Sequence, residues 1–163
     1  MPTAIYAETR ERTLAQSDIC VLTRLSQPAS VVAMSSKKAV ILIADDDPEI
    51  LTMLGIRLSK KGYEVLEAVD GNQTLNLARK HHPDLVLLDV MMPGRNGWEV
   101  AKELRSDDEF ANLGIVMLTA IGEKVNEMTS PLYGADAYVD KPFDFSELET
   151  KIKEVLAARA KLS

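Results

Sequence analysis

Five side chains capable of ionic or nucleophilic chemistry stand at the ends of apolar runs. Asp45 and Asp46 follow Val40-Ile41-Leu42-Ile43-Ala44, and Asp89 follows Leu85-Val86-Leu87-Leu88. Thr119 follows Ile115-Val116-Met117-Leu118, and Lys141 comes just after Ala137-Tyr138-Val139. The runs themselves carry almost no polar group. Burying an unpaired carboxylate costs several kcal/mol or more, so each acid marks the exit of a buried strand and not its interior. One such Asp on its own would as readily cap the next turn. Three carboxylates brought together are different, because they cannot all ionise without compensation. A hard cation with oxygen ligands supplies it, and Mg²⁺ takes one or two carboxylates with waters and a phosphate oxygen. A lysine point charge and a threonine hydroxyl beside them suit an incoming phosphoryl group, whose transfer needs positioning and charge neutralisation above all. An Asp carboxylate can then act as nucleophile and form an aspartyl-phosphate.

Positioning these groups requires that the strand ends meet. The runs show no alternation, the pattern of strands covered on both faces. Between them lie helical stretches. Asp47 with Pro48 starts one, which carries Ile50, Leu51, Leu54 and Leu58 on one face and stops at Gly62. Tyr63–Ala68 reads as a short, partly alternating strand, and Asp70-Gly71 turns the chain. A helix with Leu75, Leu77 and Ala78 ends at His81-His82-Pro83, where the histidines complement its C-terminus better than they would bind a metal. Gly94 to Gly97 form a turn cluster before a helix from Trp98 to Arg105. Another helix is expected around Lys124–Leu132. The last runs from about Phe145 to Ala160, with Asp144 as cap and Glu147 closing a capping box. Five strand–helix repeats argue an α/β, flavodoxin-like, doubly wound (βα)5 fold with a parallel sheet in the order 2-1-3-4-5. Its site lies beyond the carboxyl ends of the strands, where the strand order reverses between strands 1 and 3.

The 163 residues have a net charge of −6, and 46% are hydrophobic. Residues 1–33 are balanced, Arg10, Arg12 and Arg24 against Glu8, Glu11 and Asp18, so the acidic excess lies beyond them. No basic stripe exists to meet a phosphate backbone, which argues against nucleic acid as a direct partner. No apolar run approaches the roughly 20 residues of a membrane span, and no signal peptide is evident. With Cys20 as the lone cysteine, a cytoplasmic, membrane-free protein is expected. Residues 1–37 read as an N-terminal extension, disordered or weakly helical between Thr9 and Leu25, with Met34 as an alternative first residue. Residues 38–160 form the domain and 161–163 a tail.

Ile43-Ala44-Asp45-Asp46-Asp47, Leu87-Leu88-Asp89-Val90-Met91-Met92-Pro93-Gly94, Met117-Leu118-Thr119-Ala120 and Tyr138-Val139-Asp140-Lys141-Pro142-Phe143 resemble the receiver domain of two-component response regulators. The resemblance covers about residues 38–160, with its motifs in order. It implies that Asp89 accepts a phosphoryl group from a sensor histidine kinase or phosphotransfer protein. It implies that Asp46, Asp89 and the Met91 backbone carbonyl bind Mg²⁺ directly, with Mn²⁺ as a substitute and Asp45 acting largely through water. Thr119, Ala120 and Lys141 would hold the phosphoryl oxygens, and Tyr138 would turn inward as the switch aromatic. Output would pass to a downstream protein through the face made by the Lys124–Leu132 helix, the fifth strand and the last helix, a face that also permits transient homodimers. The protein would then be a phosphoacceptor and not an enzyme acting on an external metabolite. Because the sequence ends three residues after the last helix, a stand-alone receiver is expected.

Met91 and Ile121, two residues beyond Asp89 and Thr119, flank the phosphoryl group in this family and influence attack by water. Both are apolar here, which predicts slow self-dephosphorylation. Pro131 falls within the Lys124–Leu132 helix and predicts a kinked or loosened one. Two rival readings exist. A haloacid-dehalogenase-like phosphatase would use Asp45 as nucleophile, but Glu49 stands where that family has Thr or Val, and Asp89 is left without a role. A phosphorylation-independent scaffold would have no need of the matched site residues.

Overall fold

The structure, a computed structural model, describes residues 37–120 and 132–162. The expectations for residues 1–33 and Met34, for Ile121 and for Pro131 lie outside the described residues. So does the helix around Lys124–Leu132, apart from Leu132 and Tyr133, which are helical.

Five strands, β1 (Val40–Ala44), β2 (Glu64–Ala68), β3 (Leu85–Asp89), β4 (Gly114–Thr119) and β5 (Ala137–Asp140), form one parallel sheet in the order β2-β1-β3-β4-β5. Between and after them run α1 (Pro48–Lys60), α2 (Gly71–His81), α3 (Gly97–Ser106), a 3-10 turn (Asp108–Phe110) and α4 (Phe145–Ala160). The pleat divides each strand between two cores. Ile41, Ile43, Leu85 and Leu87 pack with Leu54 and Leu58 of α1 and Leu148 and Ile152 of α4. Leu42, Ala44, Val86 and Leu88 pack with Leu75 and Ala78 of α2 and Val100 and Leu104 of α3. This explains the unbroken apolar runs, since a strand with helices on both faces has no polar side. Edge strand β2 keeps a mixed pattern, with Glu64 and Glu67 exposed.

Side chains at the helix starts fix where the strands hand over. Asp47 caps α1, its Oδ1 accepting from the Glu49 N–H at 2.8 Å, with Pro48 as first helical residue. Asp70 caps α2 through the Gln73 N–H at 2.8 Å, so Asp70-Gly71 is a helix start and not a free turn. That helix ends on His82, which takes the left-handed conformation at φ 45° and donates its backbone N–H to the Ala78 carbonyl at 2.9 Å. The expected capping box at Asp144 and Glu147 is not formed. Asp144 Oδ1 turns instead onto the nearer Ser146 N–H at 2.6 Å, the local hydrogen bond that competes with the longer reach. A capping box occurs on α3: Asn96 accepts from the Glu99 N–H at 3.0 Å, and Glu99 accepts from the Asn96 N–H at 3.1 Å.

The other end of the sheet is held by charge. Asp136 Oδ2 accepts from the Ile115 N–H and from Arg105 Nη2, at 2.8 and 2.9 Å, and its Oδ1 accepts from Arg159. Arg105 also donates to the Gly134 carbonyl at 2.7 Å and Arg159 to the Ala111 carbonyl at 3.0 Å. Asp136→Ala would leave two part-buried guanidiniums and the Ile115 N–H short of an acceptor. The expected loss is about 2 kcal/mol, read as a lower urea midpoint at unchanged slope.

Candidate functional site

The four strands with polar exits bring them to one edge. In register, Ile43 lies opposite Leu87, Asp89 opposite Leu118, and Thr119 opposite Asp140. Asp45 and Asp46 therefore leave β1 beside Asp89 on β3. Carboxylate oxygens of Asp45, Asp46 and Asp89 lie within 4.8 Å of one another. Asp45 is fully buried, Asp89 nearly so, and Asp46 is exposed.

Lys141 crosses to them from the end of β5. Its Nζ donates to Asp45 Oδ2 at 2.7 Å and to Asp89 Oδ1 at 2.9 Å. Its own backbone N–H donates to the Thr119 carbonyl at 2.7 Å, which places Lys141 against the end of β4. The Lys141–Pro142 peptide is cis. Asp45 Oδ1 accepts from the Asp47 N–H at 2.9 Å, so the same turn that starts α1 orients the buried acid.

The electrostatics follow from burial and crowding. Burial raises the Asp89 pKa above the ordinary carboxylate value; the Lys141 hydrogen bond opposes this, and the charges of Asp45 and Asp46 add to it. Burial works against the Lys141 ammonium, yet its hydrogen bonds to Asp45 and Asp89 and their charges prevail, and its pKa is raised. Three acids face one ammonium, an excess of negative charge with oxygen donors on two neighbouring strands. That donor set fits a hard divalent cation, and the exposed Asp46 leaves the side toward solvent open for ligand water.

The other expected residues are placed as follows. Thr119 is buried at the end of β4, and Ala120 is exposed just after it. The Met91 side chain is 71% exposed beyond Asp89, while Met92 turns into the core. Tyr138 is part-buried against the α2–α3 core, its ring 5.9 Å from that of Trp98, which also lies 4.7 Å from Tyr133. Trp98 is thus a packing residue between β5 and the segment before it. Gly97 is a site residue that sequence reasoning passed over as part of a turn. A Cβ there would come within 2.2 Å of the Asp89 carbonyl oxygen and 3.0 Å of Val90 Cα, and the Gly97 N–H donates to the Val90 carbonyl at 3.0 Å. Its only sequence signal was a glycine immediately before a helix that follows a strand-end acid.

Comparison with known proteins gives consistent matches. The response regulator receiver domain family matches residues 41–153. The probable transcriptional regulator ycf27 of Galdieria sulphuraria is 48% identical over 120 residues, 74% of this chain and 46% of that protein. The DNA-binding dual master transcriptional regulator RpaA of Synechocystis is 40% identical over 116 residues, 71% of this chain and 48% of that protein. Among solved structures, a response regulator of Chloroflexus aurantiacus aligns with TM-score 0.70 at 36% identity, covering 74% of this chain and 99% of that one. TrrA of Thermotoga maritima, solved in complex with Mg²⁺ and a beryllium fluoride, aligns with TM-score 0.64 at 38% identity, covering 72% and 98%.

Two expectations are corrected by these relatives. The exclusion of nucleic acid as a partner does not stand, since similar proteins are transcriptional regulators and one is DNA-binding. The charge argument concerned only the residues present, and the chain spans about half the length of the curated relatives it matches. For the same reason the stand-alone reading, which rested on where the sequence ends, has no support. Among the described residues no helix is long and apolar enough to cross a membrane. The parallel five-stranded sheet, the acids and lysine gathered at its carboxyl edge, and the match over residues 41–153 agree: the chain belongs to the response regulator receiver domain family.

Proposed function

We propose that Asp89 is the phosphoacceptor, taking a phosphoryl group from a phosphohistidine of a sensor kinase or phosphotransfer protein. One observation carries this reading above the others: a nearly buried strand-end carboxylate is held by Lys141 at 2.9 Å, with Asp45 and Asp46 beside it. An Asp89 oxygen attacks phosphorus while the bond to the donor nitrogen breaks. Lys141 then exchanges part of its carboxylate contact for a phosphoryl oxygen, and Thr119 and the backbone at Ala120 supply further donors. Asp46, Asp89 and the Met91 carbonyl would hold Mg²⁺, with Asp45 acting largely through water. The cation supplies charge neutralisation between carboxylates and phosphate. Lys141 also stays bonded to Asp45, which keeps that buried acid compensated throughout.

Charge gained at Asp89 draws Thr119 toward it, and Tyr138, on the strand paired with β4, follows inward. Tyr138 is part-buried against the core with its ring 5.9 Å from that of Trp98, so an inward position is one the packing can accept. The altered surface is that of β5, α4 and the segment before them. The names of the curated relatives support transcription as the output of the whole protein. The dehalogenase-like phosphatase reading loses its basis with the family match. The scaffold reading remains as the outcome of a failed test.

Intact mass after incubation with acetyl phosphate tests the acceptor. One phosphate on the wild type that requires Mg²⁺, and none on Asp89→Asn, is expected. Adduct on Asp89→Asn would overturn the assignment, and none on either protein, even with a cognate kinase, would leave a scaffold. The exposed Met91 side chain offers no hydrogen bond to an attacking water, so the aspartyl-phosphate is expected to be long-lived. Met91→Asn supplies such a group. It should speed dephosphorylation about tenfold, the rate equivalent of ~1.4 kcal/mol from one hydrogen bond. A wild-type half-life of seconds would contradict the long-lived state.

A further inference from the structure

Trp98 stands between the exit of β3 and the residues that precede β5. Just before it, Gly97 is pressed against β3: a Cβ there would come within 2.2 Å of the Asp89 carbonyl oxygen, and the Gly97 N–H donates to the Val90 carbonyl at 3.0 Å. The Asn96–Glu99 capping box fixes the first turn of α3 around the same residues. The backbone at Asp89 and Val90 and the start of α3 thus form one unit, packed too closely to absorb a displacement between its parts. The part-buried indole of Trp98 is the first aromatic group this unit carries. It leans on two rings at once, that of Tyr133 at 4.7 Å and that of Tyr138 at 5.9 Å, with interplanar angles of 37° and 42°. Tilted ring pairs of this kind depend on orientation as well as on distance. This sequence of contacts does not include Thr119.

We propose that Trp98 is a positioning residue that sets Tyr133 according to the state of Asp89, through the start of α3 and not through Thr119. The inference rests on Asp89 being the phosphoacceptor. Charge gained at that carboxylate shifts the backbone at the exit of β3. Gly97 has no slack against Asp89, so the first turn of α3 takes up the shift as a rigid piece and its indole moves with it. Packed rings answer such a shift by changing between arrangements, not by deforming continuously. Tyr138 lies on the strand paired with β4 and can be moved from either side, whereas Tyr133 lies against Trp98 and ahead of β5. Tyr133 is therefore the ring that tells the two routes apart. What moves with it is apolar surface, since its neighbour Leu132 is 70% exposed.

The full chain, labelled with fluorotyrosine, is phosphorylated with acetyl phosphate and Mg²⁺. Intact mass follows the adduct and fluorine NMR reads the rings, each resonance assigned by its Tyr→Phe variant. Tyr63, packed on the α1–α4 core, is the internal reference. Trp98 is the chain's single tryptophan, so its emission reports this position alone. Phosphate on wild-type Asp89 is expected to change the Trp98 emission and to shift the Tyr133 resonance, with Tyr63 unmoved. Both responses should persist in phosphorylated Tyr138→Leu. In Trp98→Leu the adduct should form and the Tyr133 shift be lost, and Trp98→Phe, which keeps a ring there, should recover part of it. An adduct on the wild type that leaves the Trp98 emission and the Tyr133 resonance unchanged overturns the proposal and leaves the acceptor assignment intact. So does a Tyr133 shift that survives in phosphorylated Trp98→Leu or vanishes in phosphorylated Tyr138→Leu. Should Trp98→Leu fail to fold, the wild-type and Tyr138→Leu results decide. No Asp89-dependent adduct overturns the acceptor reading, and the role of Trp98 falls with it.

Discussion

The ammonium of Lys141 lies between two buried carboxylates, and the arrangement of the carboxyl edge depends on that contact. It joins residues 96 and 52 positions apart in the chain, on β1, β3 and the exit of β5. Desolvating Asp45 and Asp89 without a cation would cost several kcal/mol each. The lysine offsets that cost and in the same act holds β5's end over the sheet. A buried ion pair of this kind adds little net stability over an apolar packing of equal volume. Its presence is better explained by chemistry: two buried acids are kept close and compensated, as the proposed acceptor role requires.

The contact would be useless on a loose frame, and backbone contacts make the frame stiff where it matters. The Asp47 N–H holds Asp45, and Asp47 itself caps α1, so the acid and the helix start are one unit. Beyond Asp89 the chain is pressed against α3 so closely that only glycine fits at 97. The Asn96–Glu99 capping box then fixes where α3 begins. The acceptor strand is thus braced immediately after its carboxylate, while the Met91 side chain between these supports faces solvent.

Most of this was legible in the sequence, for a specific reason. Doubly covered strands have no polar residues of their own, so a polar residue at the end of each run stands out. Asp45, Asp46, Asp89, Thr119 and Lys141 could be read as one group before any coordinate was known. The strand order followed from the number of βα repeats and the handedness of crossovers. Less legible were features decided by distance between elements. Nothing in a glycine after Asn96 announces that a Cβ would strike the Asp89 carbonyl. Asp144 and Asn96 both had a Glu three residues on, yet only Asn96 closed the box; the choice depends on torsions that composition does not carry. Asp70-Gly71 reads as a turn because Asp-Gly is a turn dipeptide. Here a Cβ at Gly71 would come within 2.7 Å of the Arg95 carbonyl oxygen, so packing against the loop before α3 overrides propensity.

The two ends of the sheet are held by different physics, and the difference suits a switch. At the amino end, Asp136 gathers Arg105 of α3, Arg159 of α4 and the Ile115 N–H of β4 into one hydrogen-bonded network. Both guanidiniums also reach backbone carbonyls, which ties helices to loops at positions far from the acids. At the carboxyl end, three acids share one ammonium, an arrangement that is electrostatically incomplete by design of its residue types. Adding a cation and a phosphoryl group changes the charge at that end alone. On the proposed phosphoacceptor reading, the amino end is pinned by interactions remote from that charge, and the response would fall on the strand exits and the residues packed on them, Thr119 and Tyr138 among them. A sheet clamped at both ends would resist the change; one free at both would dissipate it. On that reading, clamping one end would direct a local change of charge along β4 and β5.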